Sequence, residues 1–139
     1  MVYTNAKRIN YLPCALYFYD NSRNNSITST KNKKVFDIFK AFNASRKILK
    51  EYGYFEKFKY IMYAHATCNI VKHLKNVDKD LRKEFIEEIK KFEIDVSVEE
   101  FLKEDFYKFE YKNFELIKYI QQNDYDTVIS YLKKYKVIS

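Results

Sequence analysis

The chain has 139 residues, of which 47% are hydrophobic, so it can bury one core and is not disordered throughout. Its single glycine and single proline exclude an all-β or loop-rich fold, which would need many turn residues. The same scarcity excludes glycine-rich phosphate loops and the nucleophile elbow of hydrolases. Abundant Lys, Glu, Leu, Ile and Phe favour helices.

The net charge of +7 is concentrated in the first part of the chain. Residues 1–59 carry 12 basic and 4 acidic side chains, whereas residues 60–139 carry 14 and 15. This excess indicates either a surface for phosphates, anionic lipid or nucleic acid, or a compositional bias, since Lys outnumbers Arg 22 to 4. We favour the bias. The candidate basic surface consists of Lys31, Lys33, Lys34, Arg46, Lys47 and Lys50.

Nucleic acid is not expected as a partner of these basic residues. The aromatic side chains among them, Phe36, Phe39 and Phe42, fall on the apolar face of a predicted helix and are expected in the core. Arg, the usual reader of base edges, is scarce.

The two cysteines form no disulfide framework, and no secretory signal is visible, so we expect reduced thiols in a cytoplasmic protein. The longest uncharged runs, Ile9 to Tyr19 and Ile61 to Val71, have 11 residues each. A membrane span needs about 20 apolar residues, so we expect the chain not to cross a bilayer.

The first 30 residues predict two short strands and a loop. Residues 8–12 and 15–19 are rich in strand-forming side chains, and Pro13 between them fits a strand end or edge. Residues 20–25 (DNSRNN) have the composition of a turn. Such a ribbon is marginal alone and would need further strands to pair with.

From about Lys31 the hydrophobic period becomes helical. A first helix would bury Val35, Ile38, Phe39, Phe42, Leu49 and Tyr52. Gly53 suits a left-handed C-cap, and a second helix from Tyr54 to Lys75 would pack antiparallel to the first. Its core candidates are Phe55, Phe58, Ile61, Met62, Ile70, Val71 and Leu74.

Capping residues predict the later helices. Asp78 is placed to cap a third helix, Ser97 and Glu100 match a capping box, and Asn113 is placed to cap another helix. A break at 121–124 precedes the last helix, and residues 104–112 read as either strand or helix. The predicted fold class is therefore mainly α, with a short two-strand β segment at the N-terminus followed by a helical bundle of about five helices.

Neither metal nor acid–base chemistry is predicted from the titratable residues. His65, Cys68 and His73 lie near one another on the second helix, and Cys14 is a conceivable fourth ligand, but a closed zinc site usually pairs two short ligand motifs. We interpret them as packed helix-face residues. The paired carboxylates stand beside lysines and are interpreted as solvated faces and caps.

Three short motifs follow one another near the start of the chain. Ala6 to Pro13 matches A-k-i-y-lp, Leu16 to Tyr19 matches LY-Y, and Asn25 to Thr28 matches NSIT. They resemble the closing segment of the catalytic domain in bacterial family 2-type (GT-A) glycosyltransferases of the capsule and lipopolysaccharide type. The strong match covers about 25 residues. Residues from Val35 to Phe39 are similar to the helical tail that follows in such enzymes.

The resemblance implies that residues 1–30 end a catalytic domain and residues 31–139 form its helical C-terminal region. In this family the nucleotide-sugar site, the metal-binding D-x-D motif and the catalytic base precede the matched segment, so no catalytic residue is assigned. The nucleotide-sugar and a divalent metal are expected in the missing N-terminal catalytic domain, the implied partner. The whole enzyme would transfer a sugar to a surface polysaccharide or lipid-linked acceptor, and this chain alone would be inactive.

The loop after the second motif would lie on the acceptor side of the catalytic cleft. Its candidate polar contacts are Tyr17, Tyr19, Arg23 and Ser26. Equally, Tyr17 and Tyr19 would only pack the sheet against the first helix. Asp20 departs from the family, which often has arginine there, so no contact of an arginine is expected at this position.

Two further expectations concern partners. The basic first half is expected to contact anionic lipid at the inner face of the membrane, where each basic residue contributes about 1 kcal/mol of binding free energy. An alternative function is a non-enzymatic basic helical interaction module, for which the unpaired strands would offer an edge for a partner or for a homodimer.

Overall fold

The computed structural model of the protein describes residues 33–103 and 111–138, and all regular structure in these ranges is helical. A 3-10 turn, Lys33–Phe36, leads into six α-helices. They are α1 Asp37–Glu51, α2 Phe55–Asn76, α3 Lys79–Lys91, α4 Val98–Leu102, α5 Tyr111–Gln122 and α6 Tyr125–Lys134. The prediction of a mainly helical bundle is confirmed. The two predicted strands lie outside the described residues.

Helices α2 and α5 form the centre of the bundle. α2 contacts α1, α3 and α5, and α5 also contacts α3 and α4. Ile70 and Leu74 of α2 and Ile117 of α5 are 0% exposed. Burying such a side chain contributes roughly 1.5–3 kcal/mol. α2 buries side chains on more than one face, as expected of a helix surrounded by others.

Small and polar residues of α2 complete this centre. Ala64, Ala66 and Thr67 are buried and allow neighbouring helices to approach closely. The Thr67 hydroxyl donates to the carbonyl oxygens of Tyr63 (2.9 Å) and Ala64 (3.2 Å), so its burial leaves no donor unsatisfied. These positions were not among the predicted core residues, because neither alanine nor threonine stands out in a hydrophobic pattern.

Gly53 ends α1 as predicted. Its φ of +69° is left-handed, the Gly53 N–H donates to the Lys50 carbonyl (3.1 Å), and the Tyr54 N–H donates to the Leu49 carbonyl (2.8 Å). This pair of bonds is the Schellman motif. The short link then turns the chain into α2, which packs against α1.

Two helix starts carry side-chain caps, of which the one at α4 was predicted. The Glu100 N–H donates to the Ser97 hydroxyl (3.1 Å), and the Ser97 N–H donates to the Glu100 carboxylate (2.8 Å), which completes the capping box. These bonds hold the pKa of Glu100 below its usual value. Asp124 accepts from the Thr127 N–H (2.9 Å) and caps α6 after the predicted break. Asp78 occupies the N-cap of α3 without a side-chain bond.

Three predicted positions differ in the structure. Tyr52 is 56% exposed and Ile61 is 50% exposed, although both were predicted to be buried. Tyr52 follows the last residue of α1, so the helical period no longer directs it at the core. Asn113 does not cap a helix, because α5 already includes Tyr111, whose hydroxyl donates to Glu115 one turn later (3.2 Å).

Candidate functional site

The predicted basic surface is divided between the 3-10 turn and the later turns of α1. Lys33 and Lys34 are exposed in the 3-10 turn, whereas Arg46, Lys47 and Lys50 lie in the later turns of α1. At 1.5 Å per residue, Lys34 and Arg46 are about 18 Å apart along the helix axis. The remaining predicted site residues, Tyr17, Tyr19, Arg23, Ser26 and Lys31, lie outside the described residues.

Arg46, Lys47 and Lys50 line an open groove of about 430 Å³ between α1 and the end of α3, together with Asn43, Glu51, Lys91 and Glu93. The Arg46 side chain is 13% exposed. It donates to the Glu93 carbonyl (2.8 Å) and pairs with the Glu93 carboxylate. Lys47 lies 3.9 Å from Glu51, and the Lys50 ammonium lies 4.7 Å from the centre of the Phe55 ring. Because Arg46, Lys47 and Lys50 already interact with groups of the protein, much of the positive charge in the groove is neutralised or shielded by the protein itself.

Arg46 belongs to a set of polar side chains that hold the loop between α3 and α4, residues 92–97. The buried Tyr63 hydroxyl of α2 donates to the Asp95 carboxylate (2.7 Å), and burial and this bond raise the pKa of Tyr63. From α5, Lys118 donates to the Ile94 carbonyl (3.0 Å), and Gln121 donates to the Phe92 carbonyl (2.6 Å). Burial lowers the pKa of Lys118. The loop is thereby fixed by α1, α2 and α5.

The histidines and the cysteine of α2 differ in burial, since His65 is exposed and Cys68 is half-buried. The His65 ring meets the Phe42 ring edge-on at 5.8 Å, and His73 is half-buried. Burial, followed by repulsion from Lys72, lowers the pKa of His73. Within the described ranges, no three His, Cys, Asp or Glu side chains come together in a way that would hold a metal ion.

Tyr119 of α5, Tyr131 of α6 and the α6 C-cap residue Tyr135 form a row of tilted ring contacts that sequence reasoning did not find. The rings of Tyr119 and Tyr131 are 4.2 Å apart at 31°, and those of Tyr131 and Tyr135 are 4.5 Å apart at 41°. Tyr135 is 57% exposed. Tyr131 and Tyr135 are spaced i, i+4 in the sequence, which was a usable signal, but their contact with Tyr119 depends on how α5 packs on α6.

Two open grooves are both lined by Tyr131 and Tyr135. The first groove, of about 480 Å³, also holds the side chains of Tyr119, Asp126, Thr127, Ser130 and Lys134. The second groove, of about 380 Å³, holds Lys75, Lys112, Asn113 and Glu115, with Val71, Leu116 and Val137 as its apolar part. We call the surface formed by Tyr119, Tyr131, Tyr135 and these two grooves the tyrosine ridge. It combines exposed ring area with hydrogen-bonding groups.

Comparison with known proteins gives no match: no family model, curated protein or solved structure is similar to this chain. A membrane span is not found either, since none of the helices in the described residues is both long and apolar enough for one.

Proposed function

We propose that this chain is the C-terminal region of a glycosyltransferase, which transfers a sugar from a nucleotide-sugar donor to a surface polysaccharide or a lipid-linked acceptor. The observation that carries the proposal is the ordered set of three motifs between Ala6 and Thr28. The helical bundle then follows within a few residues. Its task is to brace the catalytic domain and to contribute to the acceptor side.

The start of the bundle suits such an attachment. Val35 is 3% exposed, and the Phe36 ring packs edge-on against Phe85 of α3 at 5.5 Å. The bundle therefore begins with a turn that is packed against α3. A domain attached there has a fixed point of entry on the bundle.

In this proposal the chemistry belongs to the catalytic domain. The donor site, the divalent metal and the catalytic base are contributed by residues N-terminal to the matched segment. Of this chain, Tyr17, Tyr19, Arg23 and Ser26 are proposed as acceptor contacts. The 139 residues alone bind no donor and turn over no nucleotide-sugar.

The proposal also includes contact with anionic lipid at the inner face of the membrane, through Lys31, Lys33 and Lys34. Lys33 and Lys34 are exposed beside the entry point of the bundle. Binding to vesicles that contain phosphatidylglycerol at low salt, lost on changing these three lysines to Gln, supports this contact. The matched control changes the exposed lysines Lys72, Lys79 and Lys133 to Gln. Equal binding by the two triple variants, or no binding by the unchanged chain, overturns the contact.

The coding DNA upstream of the Met1 codon tests the proposed function. An open frame of some 200 codons that encodes a strand-rich domain with a D-x-D motif is the expected result, since a domain of that size holds a nucleotide-sugar site. A stop codon and a ribosome-binding site directly before Met1 would overturn the proposal.

A second candidate is a non-enzymatic interaction module, and the apolar outer face of α2 favours it. Tyr54 is 38% exposed and Ile61 is 50% exposed. They are seven residues apart, so they lie on one helix face, with the partly buried Phe58 between them. Self-association through this face is tested by sedimentation of the unchanged chain and of Ile61→Lys. If the unchanged chain is a dimer and Ile61→Lys is a monomer, the interaction module is supported. If the unchanged chain is a monomer at all concentrations, the proposed homodimer is overturned.

A further inference from the structure

The tyrosine ridge offers a ligand two adjoining grooves and not one isolated pocket. Both grooves have Tyr131 and Tyr135 in their walls, so a ligand that crosses the ridge contacts the same two rings from either side. Their volumes, about 480 and 380 Å³, are each of the size that holds a small organic group. An elongated ligand with repeated units matches this arrangement better than a single compact one.

The ring surface is suited to apolar C–H groups. Tyr135 is 57% exposed, and its tilted contact with the Tyr131 ring, 4.5 Å between ring centres, leaves much of its surface open. A tyrosine held in this way presents a rigid apolar face and a polar hydroxyl at low cost in conformational entropy. A pyranose ring has the complementary surface, a face of C–H groups edged by hydroxyls.

The polar groups beside the ridge complement hydroxyls and not a chain of phosphates. Asp126 and Lys134 are in the first groove, and Glu115 faces Lys75 and Lys112 in the second, so each groove contains both signs of charge. Asp126 and Glu115 interrupt the lysine charge, so the ridge lacks the continuous positive surface that binds the phosphates of a nucleic acid strand. Carboxylate, hydroxyl and ammonium groups side by side accept from and donate to neutral hydroxyls.

We propose that the tyrosine ridge binds a saccharide chain across Tyr131 and Tyr135. The inference deepens the proposed function and rests on it for the ligand class, since a polysaccharide acceptor would supply such a chain. The ridge would then hold a part of the acceptor away from the reacting end. None of its residues is a catalytic residue.

The test is a titration of the ¹⁵N-labelled 139-residue chain, followed by amide chemical shifts. The probes are maltohexaose, cellohexaose, chitohexaose, a galactose-containing oligosaccharide and, as the competing class, oligothymidylate. We expect at least one saccharide to shift the amides of Tyr119, Asp126, Tyr131 and Tyr135. No shift of these amides with any saccharide, or a shift with oligothymidylate alone, overturns the inference.

The chain offers a closely matched control variant. Tyr135 is 57% exposed at the C-cap of α6, and Tyr52 is 56% exposed at the C-cap of α1. Tyr135→Ala is expected to weaken saccharide binding about tenfold, as for a central aromatic contact, whereas Tyr52→Ala leaves the affinity unchanged. Tyr135→Phe keeps the ring and should retain most of the affinity. If Tyr135→Ala and Tyr52→Ala change the saccharide affinity equally, specific binding at the tyrosine ridge is contradicted.

The two proposals fail separately. If the coding frame begins at Met1 and the chain binds a saccharide, the ridge proposal is supported and the glycosyltransferase proposal is overturned. If the complete protein is a transferase but its C-terminal region shows no saccharide-induced shift, the glycosyltransferase proposal is supported and the ridge proposal is overturned.

Discussion

At the scale of single residues, the left-handed backbone conformation after α1 and after α6 affects the free energy of unfolding. Among the described residues, Gly53 and Lys136 have positive φ, +69° and +54°. Both follow a helix and use the same pair of hydrogen bonds: the Lys136 N–H reaches the Lys133 carbonyl (3.0 Å), and the Val137 N–H reaches the Leu132 carbonyl (2.8 Å). Only at Gly53 is the residue free of the Cβ that makes this conformation costly.

Lys136→Gly should therefore be more stable than Lys136→Ala by about 1 kcal/mol, because both remove the charge and only glycine relieves the left-handed strain. The free energy of unfolding in urea measures the difference. Gly53→Ala is the matched control and should lose about 1 kcal/mol. A Cβ at Gly53 would meet nothing within 4 Å, so that loss is a backbone effect. Equal stability of Lys136→Gly and Lys136→Ala would contradict the left-handed conformation.

His73 predicts a pH dependence of stability. Burial lowers its pKa in the folded state, so the folded protein takes up the proton less readily than the unfolded chain. Stability should fall as pH decreases below about 6.5, the ordinary pKa of histidine, until the folded pKa is passed. His73→Gln should reduce the slope of unfolding free energy between about pH 7 and 5. His65→Gln is the control on the same helix, and equal slopes in the two variants would argue against this origin.

At the scale of elements, the α3–α4 loop is held by side chains from three helices, and Tyr63 is its buried anchor. Tyr63→Phe removes the 2.7 Å bond to Asp95 and should reduce the unfolding free energy by about 1–2 kcal/mol. Asp95→Asn keeps an acceptor for the buried hydroxyl and should cost less. A Tyr63→Phe variant as stable as the unchanged chain would show that the bond contributes nothing.

The helices were predictable to the extent that their signals are local. Gly53 and the Ser97–Glu100 capping box each act within a few residues, and both are found where the sequence predicts them. The break predicted at 121–124 is shorter in the structure, because α5 extends to Gln122. Asn113 was misassigned because a capping residue type also occurs inside helices.

The site was less predictable because its contacts join residues distant in sequence. Arg46 was taken for part of a basic surface, but its bond to Glu93 spans 47 positions. The Tyr63–Asp95 bond spans 32 positions, and nothing in the hydrophobic pattern indicates it. The tyrosine ridge likewise needs α6 to pack on α5 before Tyr119 and Tyr131 meet.

At the scale of the whole molecule, the described residues form a helical bundle with a packed entry turn at Lys33–Phe36 and an exposed aromatic ridge on α5 and α6. The proposed glycosyltransferase function gives each a purpose. In that proposal the entry turn would carry the catalytic domain, and the ridge would hold the acceptor. Under this account, removing the bundle from the complete enzyme lowers activity on the polymer acceptor more than hydrolysis of the donor.

The most direct measurement is sugar transfer by the polypeptide of the complete coding frame, assayed with a panel of nucleotide-sugars and Mg²⁺ or Mn²⁺. We predict release of the nucleoside diphosphate from at least one donor by the complete polypeptide, and none by the 139-residue chain. Activity of the complete polypeptide should be lost when its D-x-D motif is changed. No release from any donor by the complete polypeptide, or a coding frame that contains these 139 residues alone, would contradict the account.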